Sequence, residues 1–512
     1  MSALHDVATV TGIVVISYFT ALNGIYLAFT AVAWRSITAH LRGRAYSGAD
    51  EAFASPLTPG VSVLLPAYNE EAGIVESVRS LLGLRYPSHE VIVVNDGSTD
   101  ATLSRLREEF ELVGVRKALR DSLPCAAVRG TYVSVRHPGL VVIDKENGGK
   151  ADALNAGVRA ARHPYVCAVD ADAMLEPDAL LHVAKPLLDD PELVVATGGI
   201  VRIANGCRVE HGRVTEVGLP RSRLATLQVV EYFRAFLVGR VGWSRLRSLL
   251  IISGAFGLFR RSAVEAVGGW WTGTVGEDVE LVVRLHRHLR ERGEDYRIEF
   301  VPDPVCWTEA PEDLRTLARQ RRRWQRGLAE ALWRHRRMAA NPRFGAVGLL
   351  AFPYFLVFEL LGPLIELLGY VMVPVAVASG TLSPSFLVCF LAVSVLLGLL
   401  LSVSALALEE FSFRRHARGR EVGRMLAFAL VDNFGYRQLI GLFRGLAFID
   451  LARRRRSWGE QRRRGFGPAA ASASGRDPGR RVAPAPAQSN GNVDGRLPGH
   501  AVSRGARSAE GH

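Results

Sequence analysis

Apolar and polar positions divide the chain into membrane-like tracts and a mixed central block. Residues 7–34 contain no charged side chain, and this length is sufficient for a helix that spans a membrane. Residues 345–408 are also apolar, apart from Glu359 and Glu366. This tract is too long for one crossing, so SGTLSPS (379–385) predicts a turn between two spans. Carboxylates in a span either line a polar path or pack against protein partners, and both readings stay open.

The central block alternates short apolar runs with segments of helical spacing. The runs that predict strands are VSVLLP (61–66), EVIVVND (90–96), LVVIDK (140–145) and YVCAVDAD (165–172). The segments that predict helices are EAGIVESVRSLLGL (71–84), KADALNAGVRAAR (150–162) and EPDALLHVAKPLLD (176–189). This order is typical of an α/β fold in which a parallel sheet has helices on both faces.

Polar and acidic residues follow the predicted strands at the end where such sheets bind ligands. These ends read PAYNE (66–70), NDGS (95–98) and DAD (170–172). No G-x-G-x-x-G opens a helix here, and NGGKAD lacks the spacing of a phosphate loop, which excludes dinucleotide and P-loop sites. A rim of carboxylates instead suits a divalent cation that shares its coordination with the phosphates of a sugar nucleotide.

Each acidic motif also has an ordinary structural reading. Asp170 and Asp172 can form a turn with capping aspartates, and NDGSTD (95–100) is common between a strand and a helix. Thr274 and Glu277 have the spacing of a capping box around GED. Taken singly, these readings are favoured. Because the motifs occur in order at expected strand ends and helix starts, we favour one shared site.

The arginine-rich segment 314–332 contains a largely apolar stripe at three- and four-residue spacing. The stripe consists of Leu314, Leu317, Arg321, Trp324, Leu328 and Leu332. Arginines surround the stripe, and a solvated basic helix would leave Trp324 and Trp333 unexplained. We therefore expect an amphipathic helix at the cytoplasmic surface of a membrane, with its arginines near anionic headgroups.

The basic charge suits nucleic acid or an anionic membrane surface, and the positive mean hydropathy favours the membrane. The chain has a formal net charge of +13, a pI near 9.9 and a mean hydropathy of +0.13. No nucleic-acid-binding module is visible. Arg35, Arg42 and Arg44 follow the first apolar tract, so the positive-inside rule places the central block in the cytoplasm, at a bacterial-type inner membrane. Five cysteines without paired or metal-ligand spacing indicate reduced thiols.

The C-terminal part has a less regular pattern. Residues 422–449 are apolar but include four charged residues, and the basic block RRRRSWGEQRRRGFG follows. One clean crossing would put that block outside, against the positive-inside rule. We expect a re-entrant or interfacial helical hairpin broken at NFGY (433–436). From Pro468 onward, Gly, Ala, Ser, Pro and Arg dominate, which predicts disorder.

Seven segments together resemble the motifs of membrane-embedded family 2 glycosyltransferases, which include cellulose, chitin-oligosaccharide, hyaluronan and poly-N-acetylglucosamine synthases. In chain order the segments are PAYNEE, VVNDGSTD, NGGKADALNAG, VDADAML, ISGAFGLFRR, VGEDVELVVRLHR and QRRRW. They match the family signature D, D-x-D, D, Q-x-x-R-W over roughly residues 57–376. The resemblance implies a GT-A fold, with a Rossmann-like mixed sheet, beside α-helical transmembrane segments.

The resemblance also implies roles for individual residues. The positions that bind the nucleotide sugar are Tyr68, Glu70, Asp96, Lys150, Gln320, Arg323 and Trp324. The positions beside the acceptor are Ser253, Gly254, Ala255, Phe256, Glu277 and Trp324. Tyr68 would stack on the uracil, and Asp96 would accept a hydrogen bond from it. Asp170 and Asp172 would bind Mg²⁺ or Mn²⁺ with the diphosphate, and Asp278 would be the general base.

The resemblance implies an inverting, metal-dependent transferase that extends a β-linked polysaccharide from a UDP-sugar. UDP-N-acetylglucosamine is the favoured donor, and coupling of synthesis to export is left open. The implied partners are the donor, a growing glycan or glycolipid, the bilayer and export proteins. One alternative is the transfer of a single sugar to a lipid carrier or glycolipid. Another is a catalytically silent export scaffold, against which the presence of all three aspartates argues.

The predicted domain order combines these elements. It consists of a transmembrane helix (1–35), a basic linker (36–56), the GT-A domain (57–311), amphipathic interface helices with QRRRW (312–345), two transmembrane helices (346–408), a basic loop with a re-entrant or transmembrane segment and a basic block (409–467), and a disordered tail (468–512).

Overall fold

The computed structural model describes residues 2–44, 55, 58–210, 212–380, 383–413 and 419–453. The strands are β1 (Val61–Ala67), β2 (His89–Asp96), β3 (Leu112–Val115), β4 (Val128–Ser134), β5 (Leu140–Lys145), β6 (Tyr165–Val169), β7 (Ala173–Leu175), β8 (Val194–Ile203), β9 (Arg208–Glu210), β10 (Arg213–Glu216), β11 (Phe256–Arg260) and β12 (Arg297–Thr308). The α-helices are α1 (Ser2–Arg44), α2 (Ile74–Leu82), α3 (Thr102–Glu109), α4 (Lys150–Ala160), α5 (Ala179–Asp189), α6 (Arg223–Phe233), α7 (Val241–Arg245), α8 (Arg261–Ala266), α9 (Glu277–Glu291), α10 (Leu314–Arg334), α11 (Phe352–Tyr354), α12 (Gly362–Ala378), α13 (Pro384–Phe413), α14 (Gly419–Val431) and α15 (Arg437–Ala452). The π-helical turns are Arg234–Arg240, Val347–Ala351, Phe355–Leu360 and Asp432–Tyr436, and the 3₁₀ turns are Arg336–Met338 and Pro342–Phe344.

Ten of the described strands form one mixed sheet. Their order is β3-β4-β5-β2-β1-β6-β11-β8-β12-β7. Strands β5, β2, β1 and β6 run parallel, as the alternating pattern predicts. Strand β11 runs antiparallel to both β6 and β8, so the sheet as a whole is mixed. Strands β9 and β10 form a separate antiparallel pair.

The central strands are buried on both sides of the sheet. In β1 the side chains of Val63, Leu64 and Leu65 have no exposed surface, although neighbouring residues of a strand point to opposite faces. Helix α4 packs against β1 and β2. A sheet that is covered on both faces favours continuous apolar strands over alternating ones. This burial explains why residues 63–65 and 91–94 are uninterrupted apolar runs.

Helix α1 continues past the predicted boundary at residue 35. Arg245 Nε donates a hydrogen bond to Ser36 Oγ at 2.7 Å, and His40 Nε2 lies 2.7 Å from Asp303 Oδ2. Tertiary contacts of this kind override local sequence signals. The predicted linker is therefore helical at its start. Most of the rest of that linker, and the whole predicted tail, lie outside the described residues.

Two helices among the described residues are long and apolar enough to cross a membrane. They contain the stretches Gly12–Gly43 and Val395–Phe413. The segments Val347–Leu360 and Gly362–Ala378 form a third candidate if they count as one span with a 42° bend. Pro363 lies at the bend, where its missing N–H is compatible with the start of a new helix.

Both glutamates of the second apolar tract have protein partners. Arg444 Nη2 lies 2.9 Å from Glu359 Oε2, and the Tyr18 hydroxyl donates to Glu366 Oε1 at 3.2 Å. These contacts favour packing between helices over a polar path. Further along the chain, Gly435 has a φ of 92° and interrupts the helix within the predicted break at NFGY.

Candidate active site

The ends of the parallel strands bring the predicted rim together. Strands β1 and β2 pair in register up to Ala67 and Asn95, and β1 also pairs with β6. Asp170 follows β6, and its backbone N–H donates to the Ala255 carbonyl at 3.1 Å. Because β11 runs antiparallel to β6, the loop before β11 lies beside the D-x-D turn after β6.

A cavity of about 640 Å³ lies at this edge of the sheet. The predicted residues that line it are Lys150, Asp170, Asp172, Ser253, Gly254, Ala255, Glu277, Asp278, Gln320, Arg323 and Trp324. The three aspartates at 170, 172 and 278 therefore border the same space. Its volume is in the usual range for small-molecule sites.

Lys150 connects the acidic groups of the cavity. Its Nζ lies 2.6 Å from Asp170 Oδ1 and 3.1 Å from Glu277 Oε1, and it donates to the Gly254 carbonyl at 3.1 Å. Burial lowers the pKa of the Lys150 ammonium. The carboxylates of Asp170, Glu277 and Asp278 raise this pKa by more, so it lies above its ordinary value. Lys150 therefore stays charged at neutral pH and holds the end of β6 close to the start of α9.

Asp278 lies in the first turn of α9, beside the loop that precedes β11. A Cβ atom built on Gly254 would lie 2.9 Å from Asp278 Oδ2, so glycine leaves room for this carboxylate. Burial raises the pKa of the neighbouring Glu277, Lys150 lowers it and Asp278 raises it, with a net increase.

The capping-box reading of Thr274 and Glu277 is wrong. Helix α9 begins at Glu277, and Gly276 occupies the capping position without a side-chain hydrogen bond. Thr274 Oγ1 instead donates to Glu330 at 2.8 Å and accepts from the Gly276 N–H at 3.1 Å. Thr274 therefore ties the loop before α9 to α10.

The same loop touches α10 through two glycines. A Cβ atom built on either Gly276 or Gly327 would lie 2.7 Å from the Cα of the other residue. The approach is between two backbones, so rotation of a side chain cannot relieve it. Glycine at both positions is what allows the loop before Asp278 to contact the Q-x-x-R-W helix.

The Q-x-x-R-W residues project from α10 towards the cavity. Gln320, Arg323 and Trp324 line it, and 43% of Trp324 is exposed. Gln320 Oε1 is buried and accepts no hydrogen bond from any residue that the structure describes. An unpaired buried acceptor costs about 1–3 kcal/mol, so this atom indicates a position for a ligand donor.

Arg326 and Arg334 of α10 pair with protein carboxylates. Arg326 Nε lies 2.8 Å from Glu330 Oε1, and Arg334 Nε lies 3.3 Å from Glu280 Oε1. Trp333 is 72% exposed. Contact between α10 and a membrane surface stays a prediction, and the exposed indole of Trp333 is the side chain best suited to it.

Four predicted site residues do not line the cavity: Tyr68, Glu70, Asp96 and Phe256. Tyr68 is 49% exposed, which leaves its ring accessible. Phe256 is fully buried within β11 and belongs to the core. The roles that the resemblance implies for Tyr68, Glu70 and Asp96 towards the nucleotide stay predictions.

Asp96 orders the loop that leads to Lys150. Its carboxylate oxygens accept hydrogen bonds from the N–H groups of Gly148 at 3.0 Å and Gly149 at 2.7 Å. The buried Lys145 ammonium also donates to Asp96. A base-binding role would therefore add to a structural role that the sequence did not show.

The ordinary reading of NDGSTD is correct for Asp100. Its Oδ1 accepts from the Thr102 N–H at 3.0 Å, and its Oδ2 accepts from the Glu71 N–H at 3.1 Å. Asn69 has a positive φ of 55°, and its Oδ1 accepts from the Thr99 N–H at 2.8 Å. These bonds join the ends of β1 and β2.

One wall of the cavity was not predicted from the sequence. Further lining residues include Glu231, Tyr232, Arg240 and Arg321. Both carboxylate oxygens of Glu231 bind the Arg321 guanidinium at 2.8 Å. Burial lowers the pKa of Arg240 to about 10 and raises that of Tyr232 to about 12. One signal in the sequence was Arg321, which lies on the apolar stripe of its helix. An arginine in that position requires a buried acidic partner, although the sequence does not show which residue it is.

No group of three or more His, Cys, Asp or Glu side chains within the described residues is arranged as a metal site. The cavity offers the two carboxylates Asp170 and Asp172. Mg²⁺ characteristically takes one or two protein carboxylates and completes its coordination with phosphate oxygens and water. The donor set therefore fits a cation that binds together with a diphosphate.

Comparison with known protein families identifies the family of this chain. The family described as "Glycosyltransferase like family 2" matches residues 59–327, which is more than half of the chain. The chain belongs to this family. The predicted family 2 glycosyltransferase and its GT-A fold, with apolar helices beside it, are thereby confirmed.

Curated relatives of this glycosyltransferase include poly-β-1,6-N-acetyl-D-glucosamine synthases. That of Staphylococcus aureus (strain COL) is 32% identical over 324 residues, which are 63% of this chain and 65% of the relative. That of Staphylococcus epidermidis is 32% identical over 278 residues, 54% of this chain and 56% of the relative. The chain thus spans 65% or less of the length of these relatives.

Among solved structures, similarity extends to a mannosyltransferase of Pyrobaculum calidifontis in complex with GDP-Man and Mn²⁺. The sequence identity is 22% and the TM-score is 0.46, with coverage of 81% of this chain and 99% of that chain. Glucosyl-3-phosphoglycerate synthase of Mycobacterium tuberculosis, in complex with Mg²⁺ and UDP, is 20% identical, with a TM-score of 0.34 over 55% of this chain and 83% of that chain.

Proposed function

We propose that this family 2 glycosyltransferase extends a β-linked polysaccharide by inverting transfer from a UDP-sugar, and that N-acetylglucosamine is the favoured sugar. The observation that carries the proposal is the convergence of Asp170, Asp172 and Asp278 on one cavity, where Lys150 joins the first of them to the start of α9. The choice of sugar is supported by the 32% identity to proteins named poly-β-1,6-N-acetyl-D-glucosamine synthase.

The proposed reaction is a single displacement at the anomeric carbon. The acceptor oxygen forms a bond to this carbon, while the bond from the carbon to the diphosphate oxygen breaks and UDP leaves. Asp278 takes the proton from the acceptor hydroxyl, and a positioned base of this kind contributes about 10²–10⁴-fold. Displacement inverts the configuration, so an α-linked donor gives a β-linked product.

The leaving group develops negative charge, which the basic residues of the cavity are suited to balance. Arg323 is proposed to face the diphosphate. The charged Lys150 lies in the same cavity, with its Nζ 2.6 Å from Asp170 Oδ1. Asp170 and Asp172 are the residues that would hold Mg²⁺ or Mn²⁺. When bound, this cation would supply electrostatic stabilisation of the departing diphosphate. Trp324 is proposed to line the acceptor side.

A membrane location agrees with the apolar helices. We place the glycosyltransferase domain on the cytoplasmic side, because basic residues follow the first apolar tract. A UDP-sugar pool and the cavity would then share one compartment. Transfer into or across the bilayer, with or without an export partner, is a further step of the same proposal.

The test incubates membranes that contain the full chain with a panel of radiolabelled nucleotide sugars and Mg²⁺ or Mn²⁺. Product size before and after a β-hexosaminidase distinguishes a polymer from a single addition. Asp278→Asn is expected to lower transfer by about 10²–10⁴-fold. Asp189→Asn is the matched control, since Asp189 is an exposed residue at the end of α5. If wild-type membranes transfer no sugar from any donor, the proposal is wrong.

A further inference from the structure

A segment outside the family match contacts the Q-x-x-R-W helix. Residues 419–452, named here the C-terminal helix pair, comprise α14, the break at 432–436 and α15. They lie beyond residue 327, where the family match ends. Helices α10 and α15 pack against each other. The helix pair is therefore a neighbour of the cavity wall that the family signature does not include.

Residues of α10 are divided between the cavity and the helix pair. Gln320, Arg323 and Trp324 line the cavity. Arg322, between two of them, donates from Nε and Nη2 to both carboxylate oxygens of Asp450, at 2.7 and 2.5 Å. Bidentate pairs of arginine and carboxylate fix geometry as well as contributing energy. The two variable positions of Q-x-x-R-W are thus available for contacts within the protein.

Gln325, the residue after Trp324, is held from two sides. Its Oε1 accepts from Arg444 Nε at 2.8 Å. Its Nε2 donates to the carbonyl oxygens of Glu359 at 3.1 Å and Leu360 at 2.9 Å. Gln325 is buried, so its polar groups depend on these partners. The turn of α10 that carries Trp324 is therefore fixed to α15 and to the residues just before the bend of the third candidate span.

Tyr436 reaches Trp324 through two charged residues. Its hydroxyl donates to Glu231 Oε2 at 2.7 Å, and the same carboxylate binds Arg321 at 2.8 Å. The Arg321 guanidinium lies over the Trp324 ring, 4.6 Å from the ring centroid. A continuous series of contacts thus runs from the helix break to the indole at the cavity.

The break that presents Tyr436 is itself anchored. Gly435 adopts a φ of 92°, and the buried Asp432 binds Arg234 and, at 3.0 Å, Arg437. Removal of one partner from a buried charge pair is strongly destabilising, because it leaves an uncompensated charge. The position of the Tyr436 hydroxyl is therefore defined by the fold.

We infer that the C-terminal helix pair is a component of the active site, in which Tyr436, Arg444 and Asp450 are positioning residues for Arg323 and Trp324. The inference rests on the proposed glycosyl transfer at the cavity. Displacement of a reacting group by about 1 Å can cost about 10²-fold in rate. Contacts at Arg321, Arg322 and Gln325 hold α10 at three places, and loss of one contact allows such a displacement.

The test uses the full-length protein with the variants Tyr436→Phe and Asp450→Asn. Each removes hydrogen bonds while keeping the size of the side chain. Tyr132→Phe, on strand β4, is the control, because it removes a hydrogen bond that the Tyr132 hydroxyl accepts from Arg107, and Tyr132 does not line the cavity. Transfer from a radiolabelled UDP-sugar gives kcat and KM. Amide hydrogen exchange across residues 320–334 reports on the order of α10 independently of activity, and Asp278→Asn supplies an inactive reference for it.

Both positioning variants are expected to lower kcat by about 10-fold and to accelerate exchange in α10 by a similar factor. Asp450→Glu, which keeps the charge, is expected to restore part of the loss. Tyr132→Phe and Asp278→Asn are expected to leave exchange unchanged. Wild-type kcat in both variants, or lower kcat with unchanged exchange, overturns the inference while transfer itself stands. If the wild type transfers no sugar, the proposed function fails, and unchanged exchange in the variants then also refutes the positioning contacts.

Discussion

Replacing either glycine at the contact between α10 and the loop before α9 is expected to lower activity strongly. The Cβ of Gly276→Ala would lie 2.7 Å from Gly327 Cα, 2.9 Å from its carbonyl carbon and 3.2 Å from its oxygen. Gly327→Ala would meet Gly276 Cα at 2.7 Å and its nitrogen at 2.9 Å. Ordinary van der Waals contact lies at 3.4–4 Å. Relief therefore requires the two backbones to separate by about 1 Å.

This separation acts on the groups proposed to perform the reaction. Gly276 directly precedes Glu277 and Asp278, and Gly327 lies one turn after Arg323 and Trp324 on α10. A shift of about 1 Å between a base and a group that binds the donor corresponds to about 10²-fold in rate. The cost to stability is expected to be about 1–3 kcal/mol, as for overpacking elsewhere in a protein interior. The expected loss of rate, equivalent to about 2.7 kcal/mol, is thus of the same size as the expected loss of stability, so both must be measured.

The assay compares initial rates of sugar transfer with thermal unfolding in the same detergent. Gly114→Ala is the matched control. Gly114 lies on the edge strand β3, and the nearest atoms to its added Cβ would be ring carbons of Tyr132 at 3.9 Å. The control is expected to keep wild-type rate and stability. If both Gly276→Ala and Gly327→Ala transfer sugar within about twofold of the wild type, the close approach of the backbones does not position the site, and the reasoning is refuted.

Three further outcomes follow from buried groups. Burial lowers the pKa of His286 from 6.5 to about 4, so its contribution to stability is complete above pH 6.5 and is lost as the pH falls towards 4. The free energy of unfolding, measured across this pH range, should fall by about 3 kcal/mol in the wild type and should not show this fall in His286→Gln. A variant with the same pH dependence as the wild type would contradict this. Asp96→Asn weakens acceptance from the glycine N–H groups before Lys150, so KM for the donor should rise by about 10-fold in transfer assays, and an unaltered KM would count against it. The double variant Glu359→Gln with Glu366→Gln should be less stable in detergent, because both glutamates have partners on other helices. The ratio of secreted to total glycan in vesicles should stay unchanged. A selective loss of secretion would instead support a polar path through the membrane.

The strand ends were predictable because physical constraints on a parallel sheet are local and repetitive. Strands that are buried on both faces consist of continuous apolar runs, so β1 and β5 appear in the sequence within one residue of their observed bounds. Their carboxyl ends share one edge, which places Asp170 and Asp172 in the cavity without knowledge of distant contacts. Asp278 required the resemblance, since its helix is separate from those strands.

The cavity wall that contains Glu231 and Arg321 could not be assembled from local patterns. Tyr436 and Glu231 form a hydrogen bond across 205 residues of chain, and neither belongs to a recognised motif. The end of α1 was placed too early for the same reason, because His40 finds Asp303 only in the folded protein. Sequence periodicity reports on which face of an element is apolar, whereas partners of buried charges depend on how elements are arranged.

The attachment of α1 to the sheet affects how this protein can be handled in the laboratory. Deleting the first apolar helix to obtain a water-soluble fragment would also remove His40, the imidazole that meets Asp303, a residue only 2% exposed. Asp303 belongs to β12, whose last residue, Thr308, borders the cavity. Extraction of the intact chain with detergent keeps the contact between His40 and Asp303. Truncation gains solubility in water, but it removes this contact from a strand that ends at the cavity.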